Sequence, residues 1–160
     1  MEDLPKPWFL TKTPKELGIG TWGRIWTITY ETPVIEALRL FLVQRISALP
    51  IVDSSGKIVD IYSKFDVIYL AAGRSYNDLD VSVKRALQYR EEWFEGVHNC
   101  SINDDLMSVI EAIVKAEVHR IIVTDENGCL VGIVSLSDLL KFLVIDSPNL
   151  LKNRFYLSST

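Results

Sequence analysis

Apolar and polar positions along the chain form one pattern that occurs twice. A stretch with apolar residues three or four positions apart, typical of a helix buried on one side, precedes two short apolar runs around a tight turn and then a second helical stretch. The first copy of the pattern predicts a helix over 32–45, strands over 46–52 and 57–62, and a helix over 64–73.

The two copies are related by a shift of 72 residues, which aligns 32–68 with 104–140 without a gap. Identical residues concentrate at the turn, in the second strand and at the start of the following helix, whereas a chance alignment would scatter them. The shift predicts a helix over 105–116, strands over 119–124 and 130–134, and a helix over 136–145. The matching pairs are Asp53 and Asp125, Gly56 and Gly128, Val59 and Val131, Ile61 and Ile133, Ser63 and Ser135, and Asp66 and Asp138.

Capping residues mark the ends of the helices in the first copy. Thr32 is predicted to be the N-cap of the first helix, with Pro33 at its first position. Gly73 is predicted to cap the C-terminus of the second helix, because glycine adopts the left-handed conformation at no steric cost. The predicted apolar stripe of the first helix consists of Val34, Leu38, Phe41 and Leu42.

These elements predict an α/β fold of two similar units with small mixed sheets and flanking helices. Each unit alone would expose an apolar sheet face, so we expect the two to pack about a pseudo-two-fold axis. The segment 76–94 is predicted to be a further amphipathic helix that joins the copies. The expected divisions are an N-terminal extension (1–15), a first repeat with the segment leading into it (16–80), a second repeat with the linking helix (81–146) and a C-terminal tail (147–160).

Charge narrows the class of ligand. The 160 residues carry a formal net charge of −4, and the pI is near 5.2. General binding to nucleic acid or to anionic membranes needs a basic surface, so neither is expected. An anionic ligand would require a local cluster of positive charge.

The cellular location is expected to be the cytoplasm, with the nucleus open to the protein as well. Cys100 and Cys129 lie far apart without the spacing of a metal or redox motif, which predicts reduced thiols in an intracellular protein. No apolar run approaches the ~20 residues of a membrane span, and the first residues lack the features of a signal peptide.

A Ser-x-x-Asp pair stands at the same place in both copies, as Ser63 with Asp66 and as Ser135 with Asp138. One interpretation is a capping box, in which serine and aspartate satisfy each other's backbone donors. The other is a ligand site, because a helix N-terminus attracts anions and a carboxylate there can accept two hydrogen bonds from a ribose diol. The two interpretations are compatible, and both stay open.

His119 and Arg120 begin the first strand of the second copy, where the first copy has Ser47 and Ala48. The fold therefore does not require a cation at this place. Solvation at a strand edge is one interpretation. The other is a phosphate-binding pair, because arginine presents a planar fork of donors and histidine a donor whose charge changes near neutral pH.

Residues upstream of each copy could complete a cleft. Arg90 precedes the second copy, and the shift places Trp26 on His98. Trp26 could stack on a base, although tryptophan more often packs in a core or an interface. The sequence has no P-loop, no dinucleotide or hydrolase motif and no His/Cys set with metal-ligand spacing, so we expect a non-catalytic protein that requires no metal.

A resemblance to a known family rests on the stretches SALPIVDSSGKIVDIYSKFDVIYLAA, YNDLDVSV, EGV, AEVHRIIVTDENG and GIVSLSDLL. The tandem units resemble paired CBS domains, which form a Bateman module, and more specifically the C-terminal half of the γ subunits of AMP-activated protein kinase. The resemblance extends over residues 16–146. It implies allosteric energy sensing, since the γ subunit binds AMP, ADP and ATP in competition and reports to a catalytic subunit.

Carried over by motif, the resemblance implies two nucleotide sites, with AMP, ADP and ATP as regulatory ligands. Arg120 is expected to reach the phosphate of both sites. The first site is expected to use Thr21, Trp26, Ile46, Ser47, Ser63 and Asp66, and the second Arg90, Val97, His98, His119, Arg120, Ser135 and Asp138.

The resemblance also implies protein partners: the catalytic α subunit, the scaffold β subunit and a second CBS pair, or a second copy where the chain stands alone. An alternative is an assembly module that docks α and β chains with its own sites empty. Another is a CBS module for a different adenosyl ligand such as S-adenosylmethionine, although a cationic ligand does not suit Arg120.

Overall fold

The structure, a computed structural model, describes residues 7–72, 79–88 and 97–147. It confirms the helix–strand–turn–strand–helix order of both copies. The elements are a 3-10 helix (Trp8–Thr11), β1 (Thr21–Trp22), α1 (Val34–Gln44), β2 (Ala48–Val52), β3 (Ile58–Ser63), α2 (Lys64–Ala72), α3 (Val83–Leu87), β4 (Asn99–Ser101), α4 (Leu106–Ala116), β5 (Arg120–Thr124), β6 (Leu130–Ser135), α5 (Leu136–Lys141) and a π-helix (Phe142–Asp146).

The chain forms two compact units that do not follow chain order. Among the described residues, unit 1 contains 7–23, 98–125 and 131–147. Unit 2 contains 24–72, 79–88 and 97, together with the turn 126–130. The N-terminal segment therefore belongs to the same unit as the second copy of the repeat.

Unit 1 is built on a mixed sheet with the strand order β1-β6-β5-β4. β1 runs antiparallel to β6, and β4 runs parallel to β5. Helix α4 and the N-terminal segment pack on this sheet, and the rings of Phe9 and Phe142 meet edge to face at 5.2 Å. The core of the unit includes Phe9, Leu106, Val109, Ile121, Val134 and Phe142.

Unit 2 contains the antiparallel pair β2 and β3, with a bulge between Ile51 and Val52. Ile28 adds a parallel bridge to Ile51, as Cys100 of β4 pairs with Val123 of β5 in the other unit. The core of unit 2 consists of Ile28, Val34, Ala37, Phe41, Leu49, Ile51, Tyr62 and Val83.

Helix α1 starts one residue later than the sequence suggested. Pro33 is the N-cap and the helix begins at Val34, so the prediction of Thr32 as N-cap with Pro33 inside the helix is wrong. The hydroxyl oxygen of Thr32 instead accepts a hydrogen bond from the Thr29 N–H at 3.0 Å. The Val34 N–H is satisfied by the Val81 carbonyl at 2.9 Å.

The buried face of α1 also differs from the predicted stripe. Val34 and Phe41 are buried as predicted, but Leu42 is 78% exposed and Ala37 is buried. Positions 34, 37 and 41 lie on one side of an α-helix, and position 42 is turned away from that side by about 100°.

The linking helix is shorter than predicted within the described residues. Helix α3 covers Val83–Leu87 and is capped by Ser82, while Leu79 and Asp80 lie in a turn. The predicted cap Gly73 and the residues 89–94 lie outside the described part of the chain.

The N-terminal segment is the counterpart of the segment around α3, at a spacing of 69 residues instead of 72. The Thr13 hydroxyl oxygen accepts a hydrogen bond from the Glu16 N–H at 3.2 Å. The Ser82 hydroxyl oxygen accepts one from the Arg85 N–H at 3.3 Å. The same short capped turn therefore occurs in both units.

Each of these segments binds the start of its unit's first helix. The Leu106 N–H at the start of α4 donates to the Lys12 carbonyl at 2.8 Å. The equivalent Val34 N–H in α1 donates to Val81, 69 residues after Lys12. Each unit thus takes its capping segment from the stretch of chain that precedes the other repeat.

Candidate functional site

In unit 1 the Ser-x-x-Asp pair forms a capping box at the junction of β6 and α5. The Asp138 N–H donates to the Ser135 Oγ at 3.1 Å, and the Ser135 N–H donates to the Asp138 Oδ2 at 2.9 Å. The capping interpretation is therefore confirmed for this copy. No hydrogen bond among the described residues reaches Oδ1 of Asp138, so this carboxylate oxygen can accept from a ligand.

A backbone hydrogen bond brings His119 to this box. The Leu136 N–H, the first of α5, donates to the His119 carbonyl at 2.8 Å. His119 is exposed, and Arg120 next to it is half-buried at the start of β5. A cationic pair and a hydrogen-bonding carboxylate thus lie at the same end of the unit 1 sheet.

Unit 2 repeats the arrangement without the cationic pair. The Lys64 N–H donates to the Ser47 carbonyl at 3.1 Å, as Leu136 does to His119. The Asp66 Oδ2 accepts from the Ser63 N–H at 2.7 Å and from the Ser63 hydroxyl at 3.1 Å. The serine hydroxyl donates here, whereas in unit 1 it accepts. Asp66 is only 7% exposed.

The left-handed ends of α1 and α4 set the positions of Ser47 and His119. Arg45 has φ 52° and Glu117 has φ 54°, and the two residues are 72 positions apart. Each reverses the chain so that the second residue after it reaches the N-terminus of the next helix. The two units therefore place residues 47 and 119 by the same backbone geometry.

The upstream residues occupy matching places in the two units. His98 is half-buried, and its carbonyl accepts a hydrogen bond from the Ile122 N–H at 3.0 Å, beside β5. Trp26 is 49% exposed and lies two residues before Ile28, as His98 lies two residues before Cys100. The equivalence of Trp26 and His98 is confirmed by the strand pairing of Ile28 and Cys100.

The remaining predicted residues divide between the units. Ile46 packs at the border of the unit 2 core, and Val97, also in unit 2, is half-buried. Thr21 is exposed and lies in unit 1, opposite Ile133 of β6, whereas Ser63 and Asp66 lie in unit 2. Arg90 lies outside the described residues.

Sequence reasoning missed the contact between Trp22 and Gly132. A Cβ atom built on Gly132 would lie 2.4 Å from ring atoms of Trp22, so the ring lies directly on the glycine backbone. The signal was the replacement of Asp60 in the first copy by Gly132 in the second. That replacement has meaning only once β1 and β6 are known to be neighbours.

Two searches over the described residues bound the chemistry. No helix in them is long and apolar enough to cross a membrane. Within the same ranges, no group of three or more His, Cys, Asp or Glu side chains is placed to hold a metal ion.

The repeated units and their shared site geometry are those of tandem CBS domains. The family model described as "CBS domain" matches residues 22–73 and 95–145, and the chain belongs to this family. The predicted α/β class with two CBS domains is confirmed.

The resemblance to γ subunits of AMP-activated protein kinase is also confirmed. The chain is 45% identical over 142 residues to 5'-AMP-activated protein kinase subunit gamma-3 of Sus scrofa, which covers 89% of this chain and 28% of that protein. It is 45% identical to the subunit of the same name from Homo sapiens, over 89% of this chain and 29% of that protein. The chain thus spans less than a third of the length of these relatives.

Solved structures share the fold. An uncharacterised conserved protein from Pyrococcus horikoshii matches with a TM-score of 0.66 at 23% identity, over 84% of this chain and 94% of that one. The crystal structure of CBSX2 in complex with AMP matches with a TM-score of 0.63 at 17% identity, over 79% of this chain and 93% of that one. At such identities the matches speak for the fold alone.

Proposed function

We propose that the chain is a regulatory module that binds AMP, ADP and ATP in competition and acts allosterically on a kinase. The observation that carries the proposal is the repeated junction at which a Ser-x-x-Asp box meets the residue before the neighbouring strand. This junction occurs in both units, with hydrogen bonds of 2.8 and 3.1 Å from the first helical N–H. Similarity to a kinase γ subunit makes an adenine nucleotide the natural ligand.

The residues of unit 1 have distinct roles in this proposal. Asp138 accepts hydrogen bonds from the ribose hydroxyls through Oδ1, because its Oδ2 is held by Ser135. His119 and Arg120 bind the phosphate, for which the arginine fork is well suited. His98 contributes backbone at the adenine side.

The residues of unit 2 act in the same way with fewer charges. Asp66 and Ser63 bind the ribose, Ser47 replaces the histidine, and Trp26 lies where His98 lies in the other unit. We expect the weaker binding here, since Asp66 is nearly buried and already accepts two hydrogen bonds from Ser63.

Regulation follows from differential binding. A nucleotide changes the state of a kinase only by as much as its affinities for two conformations differ. The partners we propose are the catalytic α subunit and the scaffold β subunit, in a cytoplasmic and nuclear setting. The chain acts as a sensor and not as an enzyme, and it uses no metal of its own.

The test is calorimetric titration of the chain with AMP, ATP and S-adenosylmethionine, alongside Asp66→Ala and Asp138→Ala. We expect AMP to bind and each substitution to weaken one site by about 1–3 kcal/mol, the scale of lost hydrogen bonds to a charged group. Arg120→Ala should weaken phosphate binding. Absence of AMP binding, or AMP binding unchanged in Asp138→Ala, contradicts the proposal.

A second candidate function is a docking module, and the exposed apolar residues favour it. Leu42 and Val114 are 78% and 69% exposed at equivalent positions of α1 and α4. Ile68 and Leu140 are 66% and 54% exposed at equivalent positions of α2 and α5. Contiguous exposed apolar surface marks interaction sites. Intact binding of α and β chains without any nucleotide binding would favour this alternative.

A further inference from the structure

β1 is an edge strand that holds a site residue in place. Thr21 pairs with Ile133 and Trp22 with Gly132 in the antiparallel ladder between β1 and β6. Ile133 lies two residues before Ser135, the N-cap of α5. The register of β1 on β6 therefore decides where the exposed Thr21 side chain lies relative to the Ser135–Asp138 box.

The ring of Trp22 fixes this register. It lies on Gly132 so closely that a Cβ there would be 2.4 Å from Cε3 and Cζ3 of the ring. The indole Nε1–H donates to the Ile19 carbonyl at 3.0 Å, which sets the ring orientation. A side chain at residue 132 would displace the ring or the strand that carries it.

Gly20 adds a second constraint on the same strand. Its φ is +104°, and a Cβ there would lie 2.7 Å from the Ile133 carbonyl oxygen and 3.1 Å from the Val134 Cγ2. A slip of one residue would turn every side chain of β1 to the opposite face of the sheet. Two glycines and one indole together exclude that slip.

The first copy shows that the CBS fold does not require this lock. The position equivalent to Gly132 is Asp60, whose Oδ2 accepts a hydrogen bond from the Tyr30 hydroxyl at 3.0 Å. A side chain is therefore tolerated there in unit 2. The bare backbone in unit 1 serves something that unit 1 alone has, namely Trp22 and the strand around it.

We infer that Trp22 and Gly132 are positioning residues of the unit 1 nucleotide site, which hold Thr21 and β6 in the register that the ligand requires. This inference rests on the proposed function, because it presupposes that the Ser135–Asp138 box binds a nucleotide. The nucleotide and the docked β1 then stabilise each other, since linkage between binding and a conformational equilibrium is reciprocal.

The first test is amide hydrogen exchange of the whole chain with and without saturating AMP. AMP should slow exchange in the segment 20–23, which contacts β6, and should fail to do so in Asp138→Ala. Exchange in this segment that is the same with and without AMP, although AMP binds, overturns the inference. This arm needs no substitution at Trp22 or Gly132, so it stands even where those variants unfold.

The second test is a double-mutant cycle of Trp22→Ala and Gly132→Ala in an Asp66→Ala background, where the unit 1 site alone reports. Each substitution should raise the Kd for AMP by about threefold to tenfold, and the double variant no further than the larger single effect. Asp60→Ala, the counterpart of Gly132 in unit 2, should leave this Kd unchanged.

The outcomes separate the two claims. A double variant whose loss is the product of the single losses, or Gly132→Ala with unchanged affinity, overturns the inference and leaves the proposed function intact. Absence of AMP binding in the unmodified chain and in Asp66→Ala overturns both.

Discussion

Arg45 and Glu117 adopt a left-handed backbone conformation that side-chain-bearing residues usually avoid, with φ 52° and φ 54°. Both end the first helix of their unit, and each stands two residues before a site residue, Ser47 or His119. The left-handed conformation costs an L-residue roughly 1–2 kcal/mol. The same strain at equivalent positions indicates that the chain reversal, and not the side chain, is what the fold needs there.

Glu117→Gly should therefore raise the free energy of unfolding, and Arg45→Gly should do the same. Glycine removes the left-handed penalty and loses roughly 0.5–1 kcal/mol to chain entropy, which leaves a gain of about 0.5–1 kcal/mol. Urea unfolding measures it. Lys115→Gly, in the last turn of α4, is the control and should destabilise by about 0.5–1 kcal/mol. A loss in Glu117→Gly equal to that of the control contradicts the argument.

Cys100 provides a pH-dependent prediction at the same scale. Burial, and then the negative charge of Asp104, raise the pKa of the Cys100 thiol from its ordinary value of 9.0 to about 11. The thiol is buried and protonated at pH 8, so iodoacetamide should not modify it in the folded chain but should modify it in urea. Mass spectrometry of the tryptic peptides measures the modification, with the half-buried Cys129 as the internal comparison.

The same shift sets the direction of a stability change. Because the pKa of Cys100 is higher in the folded chain than in the unfolded chain, the folded chain binds more protons between pH 9 and pH 11. Its contribution is complete below about pH 9 and is lost as the pH rises through 11. Cys100→Ala should lack this loss. An equal decline of stability in both proteins over that window rules the assignment out.

The two first helices begin in different ways, although their sequences are repeats. Asp105 caps α4 by accepting a hydrogen bond from the Ser108 N–H at 2.8 Å. Helix α1 has no side-chain cap and relies on the backbone of the segment around Val81. The start of α4 therefore depends on one carboxylate in a way that the start of α1 does not.

Asp105→Ala should lower the urea midpoint, and Asp105→Asn should largely restore it, because asparagine is an equally good N-cap. The hydrogen bonds from the Ser108 N–H and side chain lower the pKa of Asp105. The extra stability of the charged cap is thus present above the pKa of the unfolded chain and is lost as the pH falls through the folded pKa. The gap between Asp105 and the alanine variant should narrow in acid, while the asparagine variant shows no such change. A gap that is constant with pH contradicts this account.

The elements predicted best are those with a strong local signal. The strands β5 and β6 around the turn at Gly128 came within one residue of their true ends, since the apolar runs and the glycine with φ +79° agree. The capping box of Ser135 and Asp138 followed from spacing alone. In these cases the residues that define a structure are neighbours in sequence.

The parts that failed depend on contacts between distant segments. Phe9 and Ile19 are buried at 3% exposure, yet they follow no helical or strand period, because the N-terminal segment winds through turns over α4. The lock between Trp22 and Gly132 joins positions 110 residues apart. Its meaning lies in the pairing of β1 with β6, which no local pattern specifies.

At the scale of the whole molecule, the two repeats are interleaved. Each unit takes its first helix, hairpin and second helix from one repeat and its capping segment from the chain before the other repeat. The N-terminal segment is thus a structural part of the unit that holds His119 and Asp138. Its residues should affect that unit although they precede the first repeat.

Phe9→Ala tests this assignment. Phe9 is buried in the unit 1 core against Phe142, and truncation of a buried phenylalanine typically costs about 3–5 kcal/mol. Urea unfolding measures the loss, and hydrogen exchange locates it. The increase in exchange should be larger in β4, β5 and β6 than in β2 and β3. Leu42→Ala, which removes a side chain that is 78% exposed, is the control and should change stability by less than about 0.5 kcal/mol. If Phe9→Ala instead loosens β2 and β3 most, the N-terminal segment supports unit 2, and the interleaved assembly described above is wrong.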